Sequence, residues 1–465
     1  MTSERPDFGP RPHRDSVAAA LAELDGLVIE TEPAKVKKRS RDFHWFSPVL
    51  KARLDEVTAD AVVAPADEAE VRRVLAACFN HDVPVTVRGG GTGNYGQAMP
   101  LRGGIVLDTG YLNALVDVRQ GWVRAQAGCM MGVLDARLRE RGQSLRFHPS
   151  TVDTATIGGF VAGGSGGVGS ITWGSLRDTG AVRALRVVTV EETPRTLELR
   201  GSHARLAMHG FGTAGVITEV ELPTAPLTRW LERVVGFRQF ARAVAFADAL
   251  AHEDAILKRL VSVVAAPAAA RYLFPHGIDE STHAVLVMVA ETADEALDEL
   301  VAAHGGSAVA AAGSPLYEYA WNHTTLHALK HDRAWTYLQV GYPQPGTVER
   351  VVRMAEAFGP DEVIPHIEFL RMRGVTAASG LPLVRFTSEA RLAEIIAAHE
   401  TAGCPVFNPH VFTLEEMGRK HVDKRLVAFK QEVDPKNLLN PGKMLSFERP
   451  ELVQDQPTAF GFRSQ

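Results

Sequence analysis

Two dense clusters of glycine are the part of this sequence whose residue type and spacing point most directly to chemistry. Residues 86–110 hold 8 glycines and residues 158–180 hold 9, out of 41 in the 465-residue chain. Each glycine loses much conformational entropy on folding, so a dense cluster needs a compensating function. Backbone without Cβ atoms can approach a ligand closely, and its consecutive N–H groups can converge on an anion. Two such clusters predict a cofactor that contains a diphosphate.

The first glycine loop, residues 88–97, contains the pattern G-x-G-x-x-G at residues 91–96. In the dinucleotide-binding fold that shares this pattern, a helix follows the glycines directly and points its N-terminus at the diphosphate. Here Pro100 and the pair Gly103–Gly104 follow, so no helix can form. We therefore reject that fold and keep the phosphate-binding loop, with a plain glycine turn between two strands as the alternative.

The second cluster contains a five-residue run, Gly163–Gly167, which we call the second glycine loop. Pro149, Ser150 and the segment Thr154–Gly159 precede it. The alternative reading of this run is a flexible linker. Strand-like apolar residues are expected on both sides of it, and they argue against a linker.

The elements around these clusters alternate between strands and helices. An amphipathic helix is predicted at 68–80 between strands at 60–64 and 83–88, an order typical of an α/β layer. Helices are also predicted at 15–25 and 131–141, and strands at 105–108, 122–127, 181–190, 195–199 and 215–221.

A boundary near residue 226 is predicted from Pro223 and Pro226. Beyond it the chain has fewer glycines and more alanine-rich helices, which indicates a separate α+β domain. Helices are predicted at 240–251, 291–304, 347–358, 388–402 and 418–432, and strands at 284–290 and 335–340.

Composition excludes several classes of protein. The net charge of −5 and pI of 6.4 argue against general binding to nucleic acid or anionic membranes. The densest basic stretch, Lys35–Arg41, is interpreted as a solvated surface segment, and residues 455–465 as a loose tail. Three dispersed cysteines, a polar N-terminal segment and the lack of a long apolar run predict a protein of the reducing cytoplasm, with no membrane span.

Both glycine loops, in this order and spacing, resemble the FAD-binding domain of the p-cresol methylhydroxylase and vanillyl-alcohol oxidase flavoprotein family. That family includes FAD-linked dehydrogenases of D-2-hydroxy acids. Ser40–Asp42, Gly210–Glu219 and Asp434–Lys443 agree with it, and the resemblance covers residues 40–225 and 400–445.

The resemblance implies an α+β fold with a two-subdomain FAD-binding domain of the p-cresol methylhydroxylase type (PCMH-type). The expected division is an N-terminal helical segment at 1–57, the FAD-binding domain at 58–226, an α+β cap at 227–430 that shapes the substrate pocket, and a return onto the FAD domain at 431–465.

The resemblance also implies the cofactor and its binding residues. Backbone N–H groups of 89–93 and 163–167 would hold the FAD diphosphate. Relatives that bind flavin covalently carry a histidine where this chain has Thr92, and Cys129 lies too early for a second link, so non-covalent FAD is expected; a cap histidine stays open as a link. The expected FAD-binding residues are Arg88, Gly89, Gly90, Gly91, Thr92, Gly93, Gln97, Pro149, Ser150, Thr154, Thr156, Gly158, Gly159, Gly163, Ser165, Gly166, Ser170, Gly215, Val216, Ile217, Asn440 and Lys443.

Catalytic candidates lie in the cap. His410 and Asn408 fall where the family presents polar residues to the flavin, although the motifs of phenol oxidases and hydroxy-acid dehydrogenases are both altered here. A structural histidine is the alternative for His410. Arg371, with Arg373, can clamp a carboxylate or form a solvated edge.

Three histidines, His323, His327 and His331, are spaced to share one helical face. We expect one or two of them, with Tyr319, to reach the pocket; a metal stripe is the alternative. Some hydroxy-acid relatives bind a metal, but most of that motif is missing around His366, so no metal is expected.

These residues predict an FAD-dependent oxidoreductase that oxidises the CH–OH group of a small organic compound, a 2-hydroxy acid or an aromatic or aliphatic alcohol. The electrons would pass to O2 or another acceptor. Two alternatives stay open: an FAD-dependent lyase or transferase without net oxidation, and a flavoprotein subunit that only relays electrons. A homodimer is compatible with the sequence.

Overall fold

The computed structural model describes residues 6–274, 277–309, 315–418 and 422–453. The tail at 455–465 and residues 419–421 of the final expected helix lie outside these ranges. The α-helices of the described part are α1 (Arg14–Ala22), α2 (Pro33–Arg39), α3 (Pro48–Leu54), α4 (Glu68–Asn80), α5 (Met131–Arg139), α6 (Ile157–Gly163), α7 (Ser170–Trp173), α8 (Phe240–His252), α9 (Asp294–Ala303), α10 (Asn322–His331), α11 (Thr347–Glu356), α12 (Glu389–Thr401), α13 (Lys424–Val433) and α14 (Leu445–Glu448).

Each strand predicted from the sequence is present, and the structure adds further strands, most of them in the cap. They are β1 (Val28–Glu30), β2 (Ala61–Ala64), β3 (Val85–Arg88), β4 (Ile105–Asp108), β5 (Leu115–Arg119), β6 (Trp122–Gln126), β7 (Gln143–Leu145), β8 (Ala184–Val188), β9 (Thr196–Arg200), β10 (Val216–Pro226), β11 (Trp230–Phe237), β12 (Lys258–Val264), β13 (His283–Ala290), β14 (Ser307–Val309), β15 (Trp335–Tyr337), β16 (Gln339–Tyr342), β17 (Val363–Ile364), β18 (His366–Met372), β19 (Val375–Gly380), β20 (Leu383–Arg385) and β21 (Val406–Phe407).

The first sheet has the order β1-β2-β4-β3, with β2 and β3 both parallel to β4. Helix α4 connects β2 to β3 and buries Val71, Val74 and Leu75. Its N-terminus is capped by Asp67, whose side chain accepts from the Glu70 amide at 2.8 Å. The predicted strand–helix–strand unit is confirmed, and it delivers the first glycine loop at the end of β3.

The second sheet is antiparallel, with the order β5-β6-β10-β8-β9 and β7 beside β10. Strand β10 runs to Pro226, the point where the sequence predicted a boundary. Its inner face packs on α5 and α6 through a core that includes Leu134, Ile157 and Val220. This core supports the second glycine loop.

The cap is built on a large sheet with the order β14-β11-β13-β12-β18-β19-β16-β21. One face is covered by α8, α11 and α12, which bury Phe246, Met354 and Ile395. The opposite face packs with Val168, next to the second glycine loop, and with Ala328 of α10. The cap therefore presents α10 to the side of the molecule that carries the second glycine loop.

The C-terminal segment adds to the edge of the first sheet. The Val85 amide donates to the Leu438 carbonyl at 2.8 Å, and the Asn440 amide to the Val85 carbonyl at 2.7 Å. Within the described residues, no helix has the length and apolar character needed to cross a bilayer. The exact domain boundaries stay predictions.

Candidate functional site: a glycine-walled cavity

The two glycine loops meet on one wall of a deep cavity. Gln97 Nε2 in the first loop donates to the Gly163 carbonyl in the second at 3.1 Å. A methyl group placed on Gly89 would lie 3.6 Å from Cα of Gly159. Both loops line the same cavity, and cap residues line its other side. The prediction that the clusters come together is confirmed.

In the first loop, the carbonyls of Gly89 and Gly90 are occupied, whereas the backbone donors are free. The Arg88 guanidinium donates to the carbonyls of Gly89 at 2.9 Å and Gly90 at 3.4 Å. In the described part of the chain, the amides of residues 89–93 donate to no protein acceptor, and all five residues line the cavity. Consecutive free amides of this kind form a nest that binds anions, so the loop fits a diphosphate.

The first loop also needs its glycines. A methyl group on Gly90 would lie 2.0 Å from the Thr154 carbonyl oxygen, which is backbone and cannot swing away. Gly91 has φ +66°, in the left-handed region that favours glycine. Larger residues would therefore close the space that a ligand needs.

The second glycine loop is organised differently, and the expected strand-like flanks are wrong. Helix α6 leads into it and α7 follows it. Thr156 caps α6 by accepting from the Gly159 amide at 3.3 Å. The Gly164 amide donates back into the helix, to the Phe160 carbonyl at 2.7 Å. This loop contributes a close-fitting surface more than a row of free donors.

Most of the expected FAD-binding residues line the cavity. They are Gly89, Gly90, Gly91, Thr92, Gly93, Gln97, Pro149, Ser150, Thr156, Gly158, Gly159, Gly163, Ser165, Gly166, Gly215 and Ile217.

Six others do not line it: Arg88, Thr154, Ser170, Val216, Asn440 and Lys443. Several of them hold the loops from behind. Asn440 Nδ2 donates to the Gln97 carbonyl at 2.8 Å. The Lys443 ammonium donates to the Gly96 carbonyl, and burial lowers the pKa of Lys443 to about 7. These residues therefore support the loop and do not face the cavity.

Cap residues line the opposite wall, and of these only His323 was named from the sequence. They are Trp321, Asn322, His323, Leu326, Gln339, Ser379 and Leu381. Only the histidine spacing of α10 gave a signal for this wall. Among them, Trp321 Nε1 and Asn322 Oδ1 are buried without a hydrogen-bond partner, as is Asn94 Nδ2 near the first loop. Such orphaned atoms suit a polar ligand.

His323 is the ionisable cap residue on this wall. Its Nδ1 lies 3.1 Å from Glu318 Oε2, and its side chain is 12% exposed. Burial lowers the pKa of His323 to about 4 and raises the pKa of Glu318. A neutral imidazole beside a carboxyl group is the arrangement of a histidine base with an orienting partner.

The five catalytic candidates named from the sequence do not line the cavity. Tyr319 stacks on His327, with ring centroids 5.2 Å apart, and His327 Nε2 donates to the Glu318 carbonyl at 3.1 Å. Arg371 pairs with the exposed Asp254 at 2.9 Å. These residues lie outside the lining of the cavity, and a catalytic role for them stays a prediction.

His410 and Asn408 form a separate, buried junction. His410 Nε2 donates to the Tyr337 carbonyl at 3.0 Å, and its Nδ1 lies 2.7 Å from Ser47 Oγ. Both ring nitrogens are therefore occupied, and burial lowers the pKa to about 4. Asn408 Oδ1 accepts from the His410 amide at 2.9 Å. The geometry matches the structural alternative for His410.

His366 does not belong to a metal-binding cluster in the described part of the chain. His366 bonds to Glu368 at 2.9 Å inside the cap, whereas the His410 ring contacts other partners. Among the described residues, no group of three ligand-type side chains is arranged to hold a metal ion.

Positive charge surrounds the outer side of the first loop. Lys38, Arg41 and Arg88 line a groove there together with Gly90 and Gly91. The basic stretch at 35–41 thus lies on the surface, close to the wall of the cavity that the first glycine loop forms. Its field favours a diphosphate on the other side of the loop.

Comparison with known proteins agrees with this geometry. Residues 59–198 match the sequence pattern of a family described as an FAD binding domain. The mitochondrial D-2-hydroxyglutarate dehydrogenase of Bos taurus is 29% identical over 46% of this chain and 39% of its own. Glycolate oxidase subunit GlcD of Bacillus subtilis is 31% identical over 36% and 37%, and D-lactate dehydrogenase of Archaeoglobus fulgidus is 33% identical over 36% and 39%. The matches thus span about two fifths of each relative.

The fold is shared over nearly the whole chain with a solved alkyldihydroxyacetonephosphate synthase. The TM-score is 0.71 at 15% identity, with 95% of this chain and 87% of that chain covered. At such identity the likeness establishes fold and not activity.

A glycine-walled cavity with a nest of free amides, in a chain whose residues 59–198 match an FAD binding domain, defines an FAD-binding protein. Residues 59–198 are its FAD-binding domain, and FAD is its cofactor.

Proposed function

We propose that this protein is an FAD-dependent oxidoreductase that oxidises the CH–OH group of a small organic substrate, a 2-hydroxy acid or an alcohol. The observation that carries the proposal is the shared cavity, in which the wall of free amides at 89–93 faces a cap wall that contains His323. The names of the relatives, which are hydroxy-acid dehydrogenases and oxidases, support it.

FAD supplies a hydride acceptor when it is bound. The protein must then take the proton of the substrate hydroxyl. His323 is placed for this role on the cap wall of the cavity. Burial lowers its pKa to about 4, so the imidazole is neutral near pH 7 and free to accept a proton. With Nδ1 beside Glu318, the other ring nitrogen, Nε2, is left to accept the proton, and the carboxyl group stabilises the resulting cation.

Neutral donors are proposed to orient the substrate. Asn94 Nδ2 and Trp321 Nε1 are buried, line the cavity and have no protein partner in the described part of the chain. Each can donate to a carboxylate or hydroxyl oxygen. No lysine or arginine of the described residues lines the cavity, so a charged clamp on the substrate is not part of the proposal.

Further features of the proposal go beyond this site. We propose membership of the vanillyl-alcohol oxidase family, non-covalent FAD, O2 or another electron acceptor, and a cytoplasmic location; a homodimer is compatible with it. Buried thiols at Cys78, Cys129 and Cys404 support a reducing compartment.

The test is anaerobic mixing of the purified yellow protein with a panel of hydroxy acids and alcohols, followed by absorbance near ~450 nm, where oxidised flavin absorbs. A compound should bleach the flavin, and His323→Asn should slow bleaching by roughly 10²–10⁴-fold with FAD content unchanged. His331→Asn, on the same helix but exposed, is the matched control.

Failure of the whole panel to bleach the wild-type flavin would contradict the proposal. Turnover of a compound without lasting bleaching would favour the lyase or transferase alternative. Reduction only by a partner protein would favour the electron relay.

A further inference from the structure

A buried ionisable pair lies in the cap directly behind the cavity wall. His366 and Glu368, both on β18, are fully buried, and His366 Nε2 lies 2.9 Å from Glu368 Oε1. Ser262 on the neighbouring strand β12 donates to the same carboxylate oxygen at 2.9 Å. Taking such groups out of water is unfavourable unless their environment compensates.

The same carboxylate oxygen holds the residue that starts α10. The Trp321 amide donates to Glu368 Oε1 at 2.6 Å. Trp321 has φ +54° and ψ −139°, a conformation that a bulky residue adopts only when its surroundings enforce it. Thr324, in the first turn of α10, lies 3.3 Å from His366 Nε2 and donates to the Tyr319 carbonyl at 2.7 Å. His366 and Glu368 therefore contact both Trp321, the residue before α10, and the first turn of that helix.

The gripped segment is the cap wall of the cavity. Trp321, Asn322 and His323 all line it, and the first two carry orphaned polar atoms there. A shift of one residue at the start of α10 would move the proposed base and the proposed indole donor together.

We propose that His366 and Glu368 are positioning residues that hold the Trp321–His323 segment in its substrate-binding conformation; the substrate part of this inference rests on the proposed function. A purely stabilising role explains the pair less well, because His366 Nδ1 and Glu368 Oε2 are buried without partners in the described part of the chain. Apolar residues of similar volume would avoid that cost.

The test uses Glu368→Met in the full-length, FAD-loaded protein, with amide hydrogen exchange as the first measurement. Methionine keeps the length of the side chain and removes the acceptor. We expect exchange in residues 321–325 to accelerate by at least roughly tenfold, whereas β18 and β12 stay protected.

The second measurement is kinetic. With a substrate that bleaches the flavin, we expect Glu368→Met to keep its FAD content and flavin spectrum, and to show a roughly tenfold or larger loss in the rate of flavin reduction at saturating substrate. Glu221→Met is the matched control, since Glu221 is a buried carboxylate paired with Arg183 at 2.7 Å, outside the cavity lining. It should lose stability with little change in that rate.

Unchanged exchange at 321–325, or acceleration spread evenly over the cap strands, would overturn the positioning role. A rate loss that Glu221→Met reproduces would do the same. If Glu368→Met does not fold, Thr324→Val decides the matter, because it removes only the hydroxyl and must still accelerate exchange at 321–325. The exchange measurement needs no substrate, so it stands even where no compound bleaches the flavin and the proposed function fails.

Discussion

The two glycine loops line one cavity, yet they use their backbone groups in opposite ways. In the first loop the amides of 89–93 have no protein acceptor in the described part of the chain. In the second, the amides of Gly164 and Gly167 are bonded within the loop and its adjoining helices. Glycine density alone therefore does not identify an anion-binding site. What identifies it is glycine density together with unsatisfied donors, and the first loop is where we expect the diphosphate to be held.

The same substitution in both loops should have the largest and most unequal effect on FAD retention. Gly90→Ala places a methyl group 2.0 Å from the Thr154 carbonyl, so the variant should purify without FAD after desalting. Gly166→Ala meets its first neighbour, the Ser170 hydroxyl, at 3.0 Å and should retain FAD. Gly359→Ala, in open space, is the control for the substitution itself. Equal retention of FAD by the first two variants would refute the distinction between the loops.

The support behind the first loop can be removed next. Arg88→Met deletes the charged hydrogen bonds to the carbonyls of Gly89 and Gly90. We expect the FAD dissociation constant to rise roughly 10–100-fold, measured by titration of apoprotein with quenching of FAD fluorescence. Arg39→Met removes a nearby but exposed cation that pairs with Asp108, and it should change affinity by less than about threefold. If both variants raised the FAD dissociation constant equally, net charge and not the hydrogen bonds of Arg88 would determine the affinity.

A substitution that disturbs the second loop should lower the stability of the protein more than its affinity for FAD. The Ser170 hydroxyl accepts from the Gly167 amide at 3.0 Å, and Ser170→Ala leaves that buried donor unpaired. We expect a loss of about 1–3 kcal/mol in the free energy of unfolding, read from urea denaturation, with FAD affinity within about threefold of wild type. A large loss of FAD affinity at unchanged stability would show instead that the second loop holds the diphosphate.

The last expected effect is a pH dependence of stability beside the second loop. The amide of buried His148 donates to the Val168 carbonyl at 3.0 Å, and burial lowers the pKa of the His148 side chain to about 4. In the unfolded chain the imidazole of His148 has a pKa of ~6.5 and binds a proton more readily than in the folded protein. The contribution of His148 to the free energy of unfolding is therefore complete above that pH and is lost as the pH falls towards 4. Within this range, the free energy of unfolding should fall by up to about 1.4 kcal/mol for each pH unit. His148→Gln should flatten the dependence of the urea midpoint on pH between 6.5 and 5.

Sequence reasoning predicted the first loop well because its signals are local. The proline and paired glycines that follow it exclude a helix, and the structure has none between β3 and β4. The bounds of α4 also follow from local pattern, since Asp67 caps a helix whose apolar face repeats at helical spacing. Such features need no knowledge of distant residues.

The second loop and the cap wall depend on tertiary contacts instead. Helix α6 forms despite its glycines because Gly158 packs so closely on Ala127 that a methyl group there would lie 2.5 Å from the Ala127 Cβ, a contact that propensity cannot predict. His410 looked catalytic by position in the chain, but it bonds to Ser47, which is 363 residues away in sequence. Trp321 gave no signal at all, because its place on the cavity depends on Glu368 on a distant strand.

The first loop is completed by residues made long after it. Asn440 reaches the Gln97 carbonyl across 343 positions of sequence, and Lys443 reaches Gly96 in the same way. During synthesis, the ribosome must therefore translate the cap before the cofactor wall has all its supports. We expect nascent chains that stop before residue 434 to leave the tunnel unable to retain flavin, so that loading with FAD is a late event in the life of each molecule.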